Sequence, residues 1–106
     1  MRVIAEKIIY CEHGGIADYK KLIRKLDIPF IPAIGMSLCE EDGKKWHLDN
    51  ITKVDAMLID EEWIVFVQGK NRVVESMDSW NSIIEEYLAE GWRDWREEED
   101  LNHGDR

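Results

Sequence analysis

The chain has 106 residues, 23 of them acidic and 14 basic, for a net charge of −9 at neutral pH. That length supports one ordinary hydrophobic core and is too short for two, and an apolar fraction of 44% is incompatible with wholesale disorder. An acidic balance repels a phosphate backbone and so argues against direct nucleic-acid binding, while no apolar run approaches the ~20 residues of a membrane span.

The start, Met1-Arg2-Val3-Ile4-Ala5-Glu6-Lys7, meets charge before a signal-peptide core develops. The expected location is therefore the cytoplasm, with Cys11 and Cys39 as reduced, half-buried thiols. From Arg2 to Cys11 both alternating rows, Val3-Ala5-Ile9 and Ile4-Ile8-Tyr10, are mostly apolar, which predicts a strand covered on both faces. Gly14-Gly15 breaks it. Ile16, Tyr19, Leu22, Ile23 and Leu26 then recur at spacings of three and four, which predicts an amphipathic helix ending before Pro29.

Between Phe30 and Met77 the punctuation is that of short strands. Asp42-Gly43 is a hairpin signal, Asp60-Glu61-Glu62 separates Val54-Ala56-Leu58 from Trp63 to Val67, and Gly69-Lys70-Asn71 precedes Arg72-Val73-Val74. The expectation is an antiparallel meander, or a small open barrel, of about four or five strands. Trp80, Ile83, Ile84, Tyr87 and Leu88 next predict a covering helix from Trp80 to Glu90, with Asp78 or Ser79 as its cap. Gly91 ends it in the left-handed conformation and Trp92 folds back toward Tyr87. The single α+β domain is expected to span 1–96, followed by an acidic, solvated tail over 97–106.

The segment Ile31-Pro32-Ala33-Ile34-Gly35-Met36, followed by a hairpin and the run Trp46-x-Leu48-x-x-Ile51-x-x-Val54, resembles small prophage and mobile-element proteins of bacteria. In these a Pro-x-x-Gly segment opens a short SH3-like barrel. The similarity covers Pro29 to about Val67 and implies a fold, with no reaction or catalytic residue to carry over. Independently of it, Pro29 and Pro32 each remove a backbone donor, which places the segment at a sheet edge or its lead-in, and Gly35 permits a bulge or a positive φ.

No residue set forms a catalytic signature. Cys11, His13, Cys39 and His47 have the composition of a zinc site but lack its paired spacing. If Asp42-Gly43 is a two-residue turn, Cys39 lies across from Trp46 and His47 points to the other face. Gly14-Gly15 stands where an anion can meet a helix N-terminus, yet lacks a P-loop or dinucleotide pattern and reads first as a turn. Lys20, Lys21, Arg24 and Lys25 read as the solvated face of the first helix. Trp92 and Trp95, beside Glu97, Glu98, Glu99 and Asp100, form the candidate partner-binding surface, aromatics next to acid.

The function expected from this pattern is a non-enzymatic protein-binding module without cofactor or metal. It fits a phage or mobile-element inhibitor whose acidic surface occupies the basic groove of a nucleic-acid enzyme. The alternatives are a small enzyme or ligand-binding protein built on Cys39 and His47 or on the Gly14-Gly15 turn, and a homodimeric structural protein.

Overall fold

The computed structural model describes residues 2–13, 15–39 and 46–97. In chain order they form β1 (Arg2–His13), β2 (Ile16–Leu26), β3 (Leu38–Cys39), β4 (Trp46–Leu48), β5 (Lys53–Ile59), β6 (Glu62–Gln68), β7 (Arg72–Val74), the helix α1 (Met77–Ala89), β8 (Arg93–Asp94) and a 3-10 turn (Trp95–Glu97). The class is α+β, as expected. Six strands make one mixed, open sheet in the order β5-β6-β1-β2-β8, with β7 also pairing β1, while β3 and β4 pair separately. No helix among the described residues is long and apolar enough to cross a membrane.

Two expectations are corrected. The helix anticipated over Ile16 to Leu26 is the strand β2, so the N-terminal unit is strand and strand, not strand and helix. The apolar residues Leu22 and Ile23 are adjacent in sequence and both buried, which in a strand means that one faces each side of the sheet. Two-sided burial erases the alternation that would have marked a strand and leaves a helical spacing in its place. A twelve-residue β1 also exposes a long row of backbone groups that its neighbour in the chain satisfies.

The second correction concerns the meander. β5 and β6 form an antiparallel hairpin over their whole length, from Lys53↔Gln68 to Ile59↔Glu62, but β7 pairs in parallel with β1. Because β6 already lies between β5 and β1, it has no open edge to offer β7.

Packing divides the chain into two compact units, Met1–Lys7 with Arg24–Lys70, and Ile8–Ile23 with Asn71–Arg106. In the first, β1 runs parallel to β6 from Arg2↔Ile64 to Glu6↔Gln68. Val3, Ile4 and Ala5 are buried against Ile64, Val65, Phe66 and Val67, which gives this part of the sheet apolar residues on both faces. The loop before β3 is tied to the loop before β5, with Gly35 N–H donating to the Ile51 carbonyl (2.8 Å) and Ile51 N–H to that of Met36 (2.7 Å). Gly35 adopts φ +91° there, the positive φ its sequence context permits. Pro32, Leu48 and Ile51 are fully buried in this unit.

In the second unit Ser76 caps α1, its hydroxyl accepting from Ser79 N–H, so the helix begins three residues earlier than its apolar stripe alone indicated. Trp80 and Ile84 are buried, and Trp80 Nε1 donates to the Ile9 carbonyl at 3.1 Å. The helix closes as read from the sequence. Gly91 adopts φ +105°, Trp92 N–H donates to the Tyr87 carbonyl (3.1 Å), and the two rings meet edge to face with centroids 5.9 Å apart.

Candidate functional site

Of the residues expected to bind a partner, Trp92 is 1% exposed and its ring belongs to the core of the second unit. Trp95 is half-buried and Glu97 is exposed; Glu98, Glu99 and Asp100 lie outside the described residues. The basic cluster does not stand on an open helix face. Lys20 forms an ion pair with the Asp94 carboxylate, and the Lys21 ammonium lies 5.1 Å from the centre of the Trp95 ring, a cation–π distance. Arg24 and Lys25 border a shallow depression in the first unit, together with Leu26, Asp27, Ile28, Phe30 and Leu38.

Asp94 is a largely buried carboxylate of the second unit, paired with Lys20 and accepting from Arg96 N–H. Burial alone would raise its pKa, but the hydrogen bond from Lys20, the Arg96 backbone N–H and the charges of Lys20 and Arg96 together hold it below the ordinary carboxylate value. A depressed folded pKa stabilises the fold above the unfolded value of about 3.9 and ceases to do so as pH falls through the folded one. Asp94→Asn is therefore expected to cost about 1–2 kcal/mol at neutral pH, measured as a shift in urea midpoint. The gap to wild type should start to shrink as pH falls through the unfolded value of about 3.9 and close once the folded carboxylate is protonated too. A gap that stays constant with pH would assign the effect to packing.

Cys39 pairs with Trp46 and Leu38 with Leu48, and the register shifts between them. The Cys39–Trp46 pairing is the one that a two-residue turn at Asp42-Gly43 requires. The shift leaves His47 as an extra residue in β4, a bulge. The turn itself and the side chains of Cys39 and His47 lie outside the described residues. Cys11 is buried and its thiol donates to Met77 Sδ at 3.4 Å, a core contact. Among the described residues no three His, Cys, Asp or Glu side chains converge as metal ligands. Gly15 adopts φ +79° between two strands, so no helix N-terminus follows the Gly14-Gly15 turn.

The surface that sequence reasoning passed over is the end of the β5–β6 hairpin. Asp60 and Glu61 are its two-residue turn, both at positive φ (50° and 65°), the mirror-image turn that matches strand twist. On one face of the closing end Ile59 and Ile64 are buried. On the other, Leu58 and Trp63 are cross-strand partners and stay 58% and 56% exposed. Two large apolar side chains standing together in water on a rigid hairpin are costly to leave uncovered. Asp60 and Glu61 set carboxylates at the turn beside them, while Glu62, the register partner of Ile59, stands on the opposite face, where Arg2 fixes it through a bidentate pair, both contacts at 2.9 Å. A shallow groove lined by Val3, Ile28, Pro29, Phe30 and Ile31 lies in the same unit. Val3 is the register partner of Val65, two residues from Trp63 and on the same face of the sheet. None of these five lining residues can act as an acid, base or nucleophile. The sequence signal was available, an aromatic directly after an acidic turn, but Trp63 read simply as a residue that fits a strand.

Compared with protein-family models, curated proteins and solved structures, the chain matches none.

Proposed function

We propose that this chain is a non-enzymatic protein-binding module that presents the acidic, aromatic end of its β5–β6 hairpin to a basic surface on another protein. The observation that carries the reading is the exposed Leu58–Trp63 pair beside the acidic Asp60-Glu61 turn. A net charge of −9 suits a partner with a basic groove, the kind of groove with which enzymes hold nucleic acid, because complementary charge steers encounter. The apolar pair then acts as the anchor that holds the complex after encounter. Trp95 and Glu97 contribute a second, smaller surface of the same character. The resemblance of the Pro29 to Val67 segment to mobile-element proteins fits an inhibitor that competes with nucleic acid for such a groove.

The test is affinity capture from the source cell, followed by binding kinetics with the captured protein. Added salt is expected to lower the on-rate far more than it raises the off-rate. The double change Leu58→Ser and Trp63→Ser should accelerate release by about thirtyfold, the equivalent of ~2 kcal/mol for a central hot spot. The captured protein should also lose bound nucleic acid as this chain is added. A partner whose affinity ignores salt and survives the double change would overturn the reading.

A further inference from the structure

We propose that the chain also pairs with a second copy of itself through β5, edge to edge and antiparallel, about a two-fold axis at Ala56. This goes beyond the hairpin-end surface, since it uses the backbone edge of the sheet and leaves its faces open.

Among the described residues β5 is the terminal strand of the sheet and is seven residues long, a length at which an uncovered edge is a template for another strand. Lys53, Asp55, Ala56 and Leu58 are exposed along it, and it has neither a proline nor a glycine. The two-residue turn fixes which backbone groups face outward. In such a hairpin the residues flanking the turn, here Ile59 and Glu62, form the closing hydrogen-bonded pair. Bonding then alternates along the strand, so Ile59, Met57, Asp55 and Lys53 bond to β6, and Leu58, Ala56 and Val54 direct their N–H and C=O groups away from the sheet. Pairing about Ala56 sets Ala56 opposite its own copy and each Val54 opposite a Leu58. The whole strand is used, with about six new backbone hydrogen bonds.

Charge selects both this occupant and this register. In a chain of net charge −9, a copy can approach only where the local charge is balanced, and on β5 Lys53 Nζ lies 3.3 Å from the Asp55 carboxylate. Centring on Asp55 would set two carboxylates directly opposite each other, a destabilising pair. Centring on Ala56 sets Asp55 opposite Met57 and Lys53 opposite Ile59, with the exposed acidic Glu61 of the other copy a diagonal step from Lys53 on each side. Val54, Ala56 and Leu58 of both copies then make a continuous row on one sheet face, flanked by the two Trp63 rings.

Sedimentation of the full chain across a range of concentrations is expected to give the mass of two chains, with the dimer strengthened by added salt because like net charges are screened. That salt response is opposite in sign to the one expected for a basic partner. Ala56→Pro removes the central outward N–H without touching the β6 ladder and should abolish the dimer while the far-ultraviolet circular dichroism persists. A second measurement covers loss of fold: Ala56→Cys under mild oxidation should cross-link two native chains through Cys in place of Ala56, whereas Glu85→Cys on the helix should not. Ala56→Pro, which abolishes the dimer, should leave the salt-sensitive binding of a basic partner in place, so the two readings fail separately. A wild-type chain that stays monomeric at every concentration, a folded Ala56→Pro that stays dimeric, or equal cross-linking at 56 and 85 would overturn the proposal.

Discussion

Trp92→Ala is expected to be among the most destabilising single changes in the chain, costing about 3–5 kcal/mol, the range for truncating a large buried aromatic. Trp92 is 1% exposed, so its whole ring is removed from a packed interior and a cavity replaces it. The ring also supplies the edge-to-face contact with Tyr87 at 5.9 Å, a geometry worth about 0.5–1.5 kcal/mol beyond burial. The backbone bond from Trp92 N–H to Tyr87 O survives the substitution, which limits the damage to side-chain packing. For a domain of this size the melting temperature should fall by roughly 15 °C or more, followed by circular dichroism. Trp92→Phe, which keeps an aromatic edge against Tyr87, should recover much of the loss. If Trp92→Ala melted within a few degrees of wild type, the ring would be free for the partner-binding role first read from the sequence.

Gly69→Ala is expected to cost about 1–3 kcal/mol, the penalty for forcing added volume into a filled site. A Cβ at Gly69 would lie 2.9 Å from the Asp49 carbonyl oxygen and 3.1 Å from Leu48 Cδ2. Neither neighbour can yield easily. Leu48 is wholly buried, and the Asp49 carbonyl accepts the N–H of Lys70 at 2.9 Å, so moving it breaks the bond that turns the chain after β6. Gly35→Ala is the informative comparison, because nothing lies within 4 Å of its Cβ position and only its positive φ is strained, for about 1 kcal/mol. Urea midpoints should therefore rank wild type above Gly35→Ala and Gly35→Ala above Gly69→Ala. The reverse order would mean that the approach of Gly69 to Asp49 is looser than these distances.

Local chemistry determined the elements whose cause is local. The closure of α1 at Gly91 and Trp92 follows from a glycine placed after an apolar stripe, and the Asp60-Glu61 turn from an acidic pair between two β-rich runs. β1 was legible because two apolar rows ten residues long have no other common explanation. The helix end and the hairpin turn rest on interactions between residues close in sequence, and β1, whose partners are distant, declares itself through its composition.

Tertiary structure alone decided the rest. Whether Ile16 to Leu26 coils or extends depends on β1 lying beside it with unsatisfied backbone groups, and on Leu22 and Ile23 finding apolar partners on opposite faces. Whether β7 joins β6 or β1 depends on which edges remain open after other strands have paired. The exposure of two tryptophans has the same origin. Trp92, read from the sequence both as folding back on Tyr87 and as part of a partner surface, is buried; Trp63, read as a strand residue, is exposed together with its cross-strand neighbour Leu58. Exposure is fixed by what the rest of the chain brings against a residue, and that is a property of the fold which composition and spacing do not carry.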